Sequence, residues 1–176
     1  PYLQKGAETS IVVRWRTDIN DTSEIEYSTD SGFSSFSTVS ESNLKTEHEL
    51  EITGLSPNTK YYYRLGNSGS LLSHNTDIYF KTHPSVGSTD LYRFWLLGNM
   101  GRGGTTAAND RDAVRDAYYN YIGTNETNGI MFLGDNAYSG TDIQYQQRLF
   151  DVYDNMLKNT VSWSCIGNHD AEQTTS

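Results

Sequence analysis

Residues 129–140 read GIMFLGDNAYSG and residues 162–170 read SWSCIGNHD, while a third stretch of the same shape, FWLLGNMG, occupies 94–101. Each is an apolar run that breaks into glycine and then into side chains carrying oxygen or nitrogen. Short continuous apolar runs of this kind suit strands buried on both faces, as in a parallel sheet. Helical segments separate them. TTAANDRDAVRDAYYNYI (105–122) sets Ala113, Ala117 and Tyr121 four apart with Val114 beside them, and Thr105 or Thr106 is placed to cap its start. TDIQYQQRLFDVYDNMLKN (141–159) offers Ile143, Leu149, Phe150, Tyr153 and Leu157 as a buried stripe. Strand, helix, strand, helix, strand predicts a parallel sheet with right-handed crossovers. Ligands of such sheets gather beyond the carboxyl ends of the strands, where all three polar clusters lie.

The first half of the chain has a different period. TSIVVRWRTD (9–18) alternates around Trp15, with Val13 and Trp15 on one face; SEIEYST, HELEIT, TKYYYRLGN and YFKT follow. DTS, LSPNT and GNSGS read as the turns between them. In YYYRL, Tyr61 and Tyr63 share a face and Tyr62 takes the other. Short alternating strands around a central tryptophan predict a β-sandwich. His48 and His74 are expected to be ordinary surface or strand residues. The polar, turn-rich HPSVGSTD (83–90) marks a boundary, giving a sandwich over 1–84, a linker over 85–90 and a second domain over 91–176. Three strands and two helices are few for an α/β domain, so the second domain is expected to be cut short.

Composition narrows the partners. The formal net charge is -9 and no basic block occurs, which argues against a nucleic-acid groove or an anionic-membrane surface. An anionic substrate would need a local positive field, such as bound metal. Cys165 is the one cysteine, so neither a disulfide framework nor a thiolate zinc site can be built within the chain; the SWSCI run predicts a buried thiol. No stretch of about twenty apolar residues is present to form a spanning helix. The chain opens on PYLQ with no leading methionine, which predicts a processed or trimmed N-terminus.

At the strand ends, Asp135 offers a carboxylate and Tyr138, three residues on, a phenol. Asn168 offers an amide oxygen and His169 an imidazole. Mixed oxygen and nitrogen donors suit zinc, manganese or iron without thiolate. Gly134 and Gly167 are expected to let the backbone turn sharply before each donor. A metal pair bridged by a carboxylate can polarise a phosphoryl oxygen.

GDNAY and GNHD resemble the second and third signature blocks of the metallophosphoesterases, and specifically of the purple acid phosphatases. That family also carries a fibronectin type III-like sandwich at its N-terminus. PYLQ (1–4), VRWRT (13–17) and LSPNTKYYY (55–63) are similar to its hallmarks. The resemblance implies an all-β fibronectin-like sandwich followed by the first part of an α/β metallophosphoesterase domain. It implies hydrolysis of small phosphomonoesters at a binuclear centre of Fe3+ with Zn2+, Mn2+ or Fe2+. Carried over by position, Asp135 is similar to the carboxylate that bridges both metals and Tyr138 to the phenolate on the ferric ion. Asn168 matches the amide ligand of the divalent ion, and His169 the catalytic histidine that contacts substrate phosphate and helps protonate the leaving group. Asn99, in GNMG, stands where the family's first block has an acid; a neutral amide is a weaker ligand for a trivalent ion.

The family's remaining histidine ligands would lie past Ser176, so the 176-residue chain alone is expected to be inactive. A truncated sheet would also expose an edge and apolar faces, implying association through them. Two alternatives stand beside the phosphatase: a degenerate, non-catalytic relative that binds or supports, and a metal-dependent phosphodiesterase or nucleotidase, against which Tyr138 argues. The resemblance implies a secreted, periplasmic or lysosomal setting. NDT at Asn20 and NET at Asn125 match glycosylation sequons, a short pattern that also arises by chance.

Overall fold

The computed structural model describes residues 1–67, 70–72, 78–102 and 105–171, the side chains of 105–108 excepted. His74 and the capping side chains of Thr105 and Thr106 therefore lie outside the described residues. The chain forms two compact units: Pro1–Leu91 with Asn155–Val161, and Tyr92–Asp154 with Ser162–Ser176.

The first unit is built almost wholly of strands, consistent with a β-sandwich. They are β1 (Tyr2–Gln4), β2 (Ser10–Ser28), β3 (Ser37–Thr53), β4 (Lys60–Asn67), β5 (Ser70–Leu71) and β6 (Tyr79–Lys81). DTS is not a turn. β2 runs through it, and the pairing with β3 shifts register between Arg16 and Asp21 and again between Asp21 and Ser23. Such irregularities bend a strand while the ladder continues on either side. The first half of β2 thereby pairs with β1 and the second with β4, both antiparallel.

Alternation places the core as the sequence implies. Ile11, Val13 and Trp15 are buried from β2, and Tyr61 and Tyr63 from β4, while Tyr62 is half-buried. Phe80 packs between the two inward tyrosines, its ring 5.5 Å from Tyr61 and 5.8 Å from Tyr63. The segment 155–161 completes this unit. The Tyr63 hydroxyl donates to the Lys158 carbonyl at 2.8 Å, Asn159 Oδ1 accepts the Tyr79 N–H at 2.8 Å, and Val161 pairs with Leu3.

His48 is a strand residue, but it is buried rather than on the surface. Its Nδ1 meets Ser23 Oγ and its Nε2 meets Thr17 Oγ1, both at 2.8 Å, and its ring stacks on Trp15. Both ring nitrogens thus have hydroxyl partners in place of water.

The second unit holds β7 (Phe94–Leu97), α1 (Thr105–Ile122), β8 (Gly129–Phe132), α2 (Asp142–Tyr145), a π-helical turn (Gln146–Phe150), the start of α3 (Asp151–Leu157) and the end of β9 (Val161–Ser164). β7 and β8 pair in parallel, Phe94 opposite Gly129 and Leu97 opposite Phe132. β9 lies beside β8, and the Cys165 N–H donates to the Phe132 carbonyl at 3.0 Å. One face of this layer is covered: Trp95 stacks on Tyr118 of α1 at 4.0 Å, and Tyr153 packs on Trp95 and Phe132. The other face is open, with Leu96 at 54% and Leu133 at 52% exposure and Phe94 and Met131 beside them. Gly129 is required here, because a Cβ would fall 2.4 Å from the Phe94 ring and 2.9 Å from Trp163.

The first helix forms over the residues expected, and the second departs from expectation. Tyr121 is 84% exposed, and Val114 is exposed with Ala113 and Ala117; α1 instead turns Arg111, Arg115, Tyr118 and Ile122 inward. The second helix is three pieces, because the π-turn and non-helical angles at Tyr153 interrupt it. That phase change brings Leu149, Tyr153 and Leu157 inward with Met156, leaves Phe150 half-buried and leaves Ile143 68% exposed. Cys165 is exposed, not buried, because it lies past the end of β9.

Candidate active site

Three loops leave the ends of β7, β8 and β9, and they lean on one another closely enough to require glycine. A Cβ on Gly101 would sit 2.4 Å from the Asn136 carbonyl carbon, and one on Gly134 would sit 2.9 Å from Gly167. One on Gly167 would sit 2.1 Å from Asp135 Oδ1. Gly134 also has φ of +98°, so there the sharp turn is real. Gly167 has no positive φ; its glycine serves the close approach instead. Left-handed conformations fall on two polar residues themselves, Asn99 at φ +57° and Asp135 at φ +56°. Asn and Asp tolerate that region better than other side chains, and strained positions of this kind gather at functional sites.

Backbone bonds lock the loops. The Asn99 N–H donates to the Gly134 carbonyl at 3.1 Å and the Gly101 N–H to the Asp135 carbonyl at 2.8 Å. Asp135 Oδ1 accepts the His169 N–H at 3.1 Å. The Tyr138 hydroxyl reaches Asn99 Oδ1 at 3.5 Å, and its ring stacks on the His169 imidazole with centroids 4.1 Å apart. Asn99, Asp135, Tyr138 and His169 therefore meet. Asn168 follows Gly167 as an exposed residue on the same loop.

The residue that sequence reasoning missed is Asp170. It is buried and accepts from four groups: Ala137 N–H at 2.7 Å, Gly167 N–H at 2.9 Å, Asn136 Nδ2 at 3.0 Å and the Tyr145 hydroxyl at 3.1 Å. Burial alone raises its pKa, but the donors at Gly167, Ala137, Asn136 and Tyr145 outweigh that and hold it below the usual carboxylate value. The Tyr145 hydroxyl is pushed up to about 12 by burial, then by the Asp170 charge and their hydrogen bond. Asn136 gives its second Nδ2 bond to the Cys165 carbonyl at 3.0 Å. The only signal in the sequence was the acid closing GNHD, which carries no periodicity to mark it as buried.

The donors that meet here are one carboxylate, one phenol, one amide and one imidazole, with the Asn168 amide on the same loop as His169, a chemistry that suits hard or borderline ions. Among the described residues, no three His, Cys, Asp or Glu side chains group as a metal site. By donor type these residues fit part of a metal centre, and by number they fall short of a pair.

An all-β unit, together with a short parallel layer whose strand ends carry the polar loops, defines the class of this chain. Residues 2–82 match the family model described as "Purple acid Phosphatase, N-terminal domain", so the chain carries an N-terminal domain of that kind. In fold, 96% of the chain is similar to purple acid phosphatase PPD1 from yellow lupin (Lupinus luteus) seeds, at 18% identity, TM-score 0.71 and 35% of that chain. It is also similar to the structure of PhoD, at 14% identity, TM-score 0.64, 97% of this chain and 38% of that one. The chain spans well under half the length of either. Among the described residues, no helix is long and apolar enough to cross a membrane.

Proposed function

We propose that the second unit is the leading part of a metallophosphoesterase domain, and that the protein to which the chain belongs hydrolyses small phosphomonoesters in the manner of a purple acid phosphatase. The observation that carries this reading is the convergence of Asn99, Asp135, Tyr138 and His169 at neighbouring strand ends, in a chain whose residues 2–82 match a purple acid phosphatase N-terminal domain. Asp135, Tyr138 and Asn168 would face a centre of Fe3+ with Zn2+, Mn2+ or Fe2+. Such metals supply Lewis-acid polarisation of a phosphoryl oxygen. His169, held by its backbone bond to Asp135 and by the Tyr138 ring, would face the phosphate and pass a proton toward the leaving oxygen. A secreted or otherwise extracytoplasmic setting belongs to the same reading.

Asn99 favours a second reading, a degenerate relative without catalysis, because an amide brings no charge to the site. Phosphomonoester hydrolysis by the full-length protein, assayed with iron and zinc supplied, decides between them. Hydrolysis that collapses in Asp135→Asn and His169→Ala supports the enzyme. Metal-loaded, folded protein with no turnover supports the degenerate relative.

A further inference from the structure

Between Arg16 and Asp21, residues 17–20 of β2 lie against the single residue Thr46 of β3, while Ser42, Asn43 and Leu44 of β3 make an excursion of their own opposite Thr22. The ribbon therefore bulges on both strands. His48 reaches across the β2 excursion. Its Nε2 meets Thr17 Oγ1 at the start and its Nδ1 meets Ser23 Oγ just past the end, both at 2.8 Å. His48 and Ser23 are buried, whereas Ile19 on the excursion is 70% exposed.

The hydroxyls fix which ring nitrogen carries the proton. Thr17 Oγ1 gives its hydrogen to the Ile19 carbonyl at 2.8 Å, so toward His48 it accepts, and Nε2 is the N–H. Nδ1 then accepts from the Ser23 hydroxyl. A second proton, on Nδ1, would face that hydroxyl hydrogen. Ser23 would have to turn it away, and its hydroxyl meets no other acceptor among the described residues. A buried donor left without an acceptor is costly, and opening the excursion gives both groups to water instead. The charged groups around the ring are Lys45, Glu41 and Glu47 from β3 and Asp21 from β2. Burial, then Lys45, opposes a charged ring more strongly than the three carboxylates favour it.

We propose that His48, Thr17 and Ser23 form an acid-sensitive latch: at neutral pH they hold the β2 excursion shut, and a proton on Nδ1 releases residues 17–22 while the rest of the unit stays folded. The latch stands apart from the phosphohydrolase reading and does not depend on it.

The test is hydrogen exchange of the full-length protein, followed by mass spectrometry in dilute urea as pH is lowered from about 7 to about 5. An opening that takes up one proton becomes up to tenfold more favourable for each pH unit below about 6.5. Peptides covering 15–23 and 45–48 should lose protection accordingly. They should also ignore urea too dilute to unfold the protein, because a local opening exposes little surface. Residues 50–52 should stay better protected and respond to urea. His48→Gln should make the local opening independent of pH over this range. Nitrogen-15 NMR of the histidine-labelled wild type should show His48 as Nε2–H with a bare Nδ1 at neutral pH, which keeps the test open if His48→Gln misfolds. The Nδ1–H tautomer, exchange at 15–23 that ignores pH, or exchange there that follows urea as 50–52 does, overturns the proposal.

Discussion

Ala137 donates its backbone N–H to Asp170 Oδ1 at 2.7 Å, which ties the loop after β8 to the loop after β9. Because Asp170 also holds Gly167, Asn136 and Tyr145, one carboxylate fixes the relative positions of Asp135, Tyr138 and His169. Asp170→Asn replaces a charged acceptor by a neutral one that brings its own donor against these N–H groups. The expected cost is about 2–3 kcal/mol, since hydrogen bonds to charged groups contribute about 1.5–3 kcal/mol each. Chemical denaturation at neutral pH measures it, and a change within 0.5 kcal/mol, the usual range of surface substitutions, would contradict the role.

The same carboxylate predicts a pH limb. Its folded pKa is depressed, so its stabilisation is complete above the unfolded value of about 3.9 and is lost as pH falls through the folded value. Denaturation midpoints of the wild type should fall below about pH 4, and the Asp170→Asn profile should be flatter there.

His48 predicts a second pH dependence at milder acidity. Burial, followed by the Lys45 charge, lowers its pKa, and the weaker pull of Asp21, Glu47 and Glu41 does not restore it. Burial lowers His83 too. The unfolded chain therefore takes up protons first, so stability is complete above about pH 6.5 and declines as pH falls toward the folded values. Proton NMR should place the His48 titration below about 6.5; a midpoint above it would contradict the burial argument.

Gly167→Ala tests the contact between loops. Its Cβ would fall 2.1 Å from Asp135 Oδ1 and 2.3 Å from the Asp135 nitrogen, and backbone cannot yield as a side-chain tip can. Overpacking costs about 1–3 kcal/mol. Gly54→Ala is the comparison, because no atom lies near its Cβ and the cost there is confined to its φ of +73°. Thermal melting of both should show the larger loss at Gly167 if the loops meet as described, and an unshifted Gly167→Ala would mean that they do not.

Much of this was legible in the sequence where one residue pattern has one physical outcome. Alternation around Trp15 and in YYYRL put the right side chains inward, and apolar runs ending in glycine marked the strands whose ends carry the site. The misses have local causes. DTS has turn composition, but pairing to β3 continues on both sides of it and absorbs it as an irregularity. The inward face of α1 includes Arg111 and Arg115, which a hydrophobic count rejects; the Arg115 bond to the Val152 carbonyl at 3.4 Å and the Tyr118 stack on Trp95 hold it there. The π-turn shifts the phase of the next helix, so Ile143 could not share a stripe with Tyr153. Asp170 looked like the end of a motif because its burial depends on donors from distant segments.

The most direct measurement is the visible absorption spectrum of the full-length protein reconstituted with ferric and zinc ions, recorded for wild type and for Tyr138→Phe. If Tyr138 faces a ferric ion beside Asp135, the wild type shows a phenolate-to-iron charge-transfer band and Tyr138→Phe loses it while retaining iron. Iron-loaded wild type without the band, or a band that survives in Tyr138→Phe, would contradict the account.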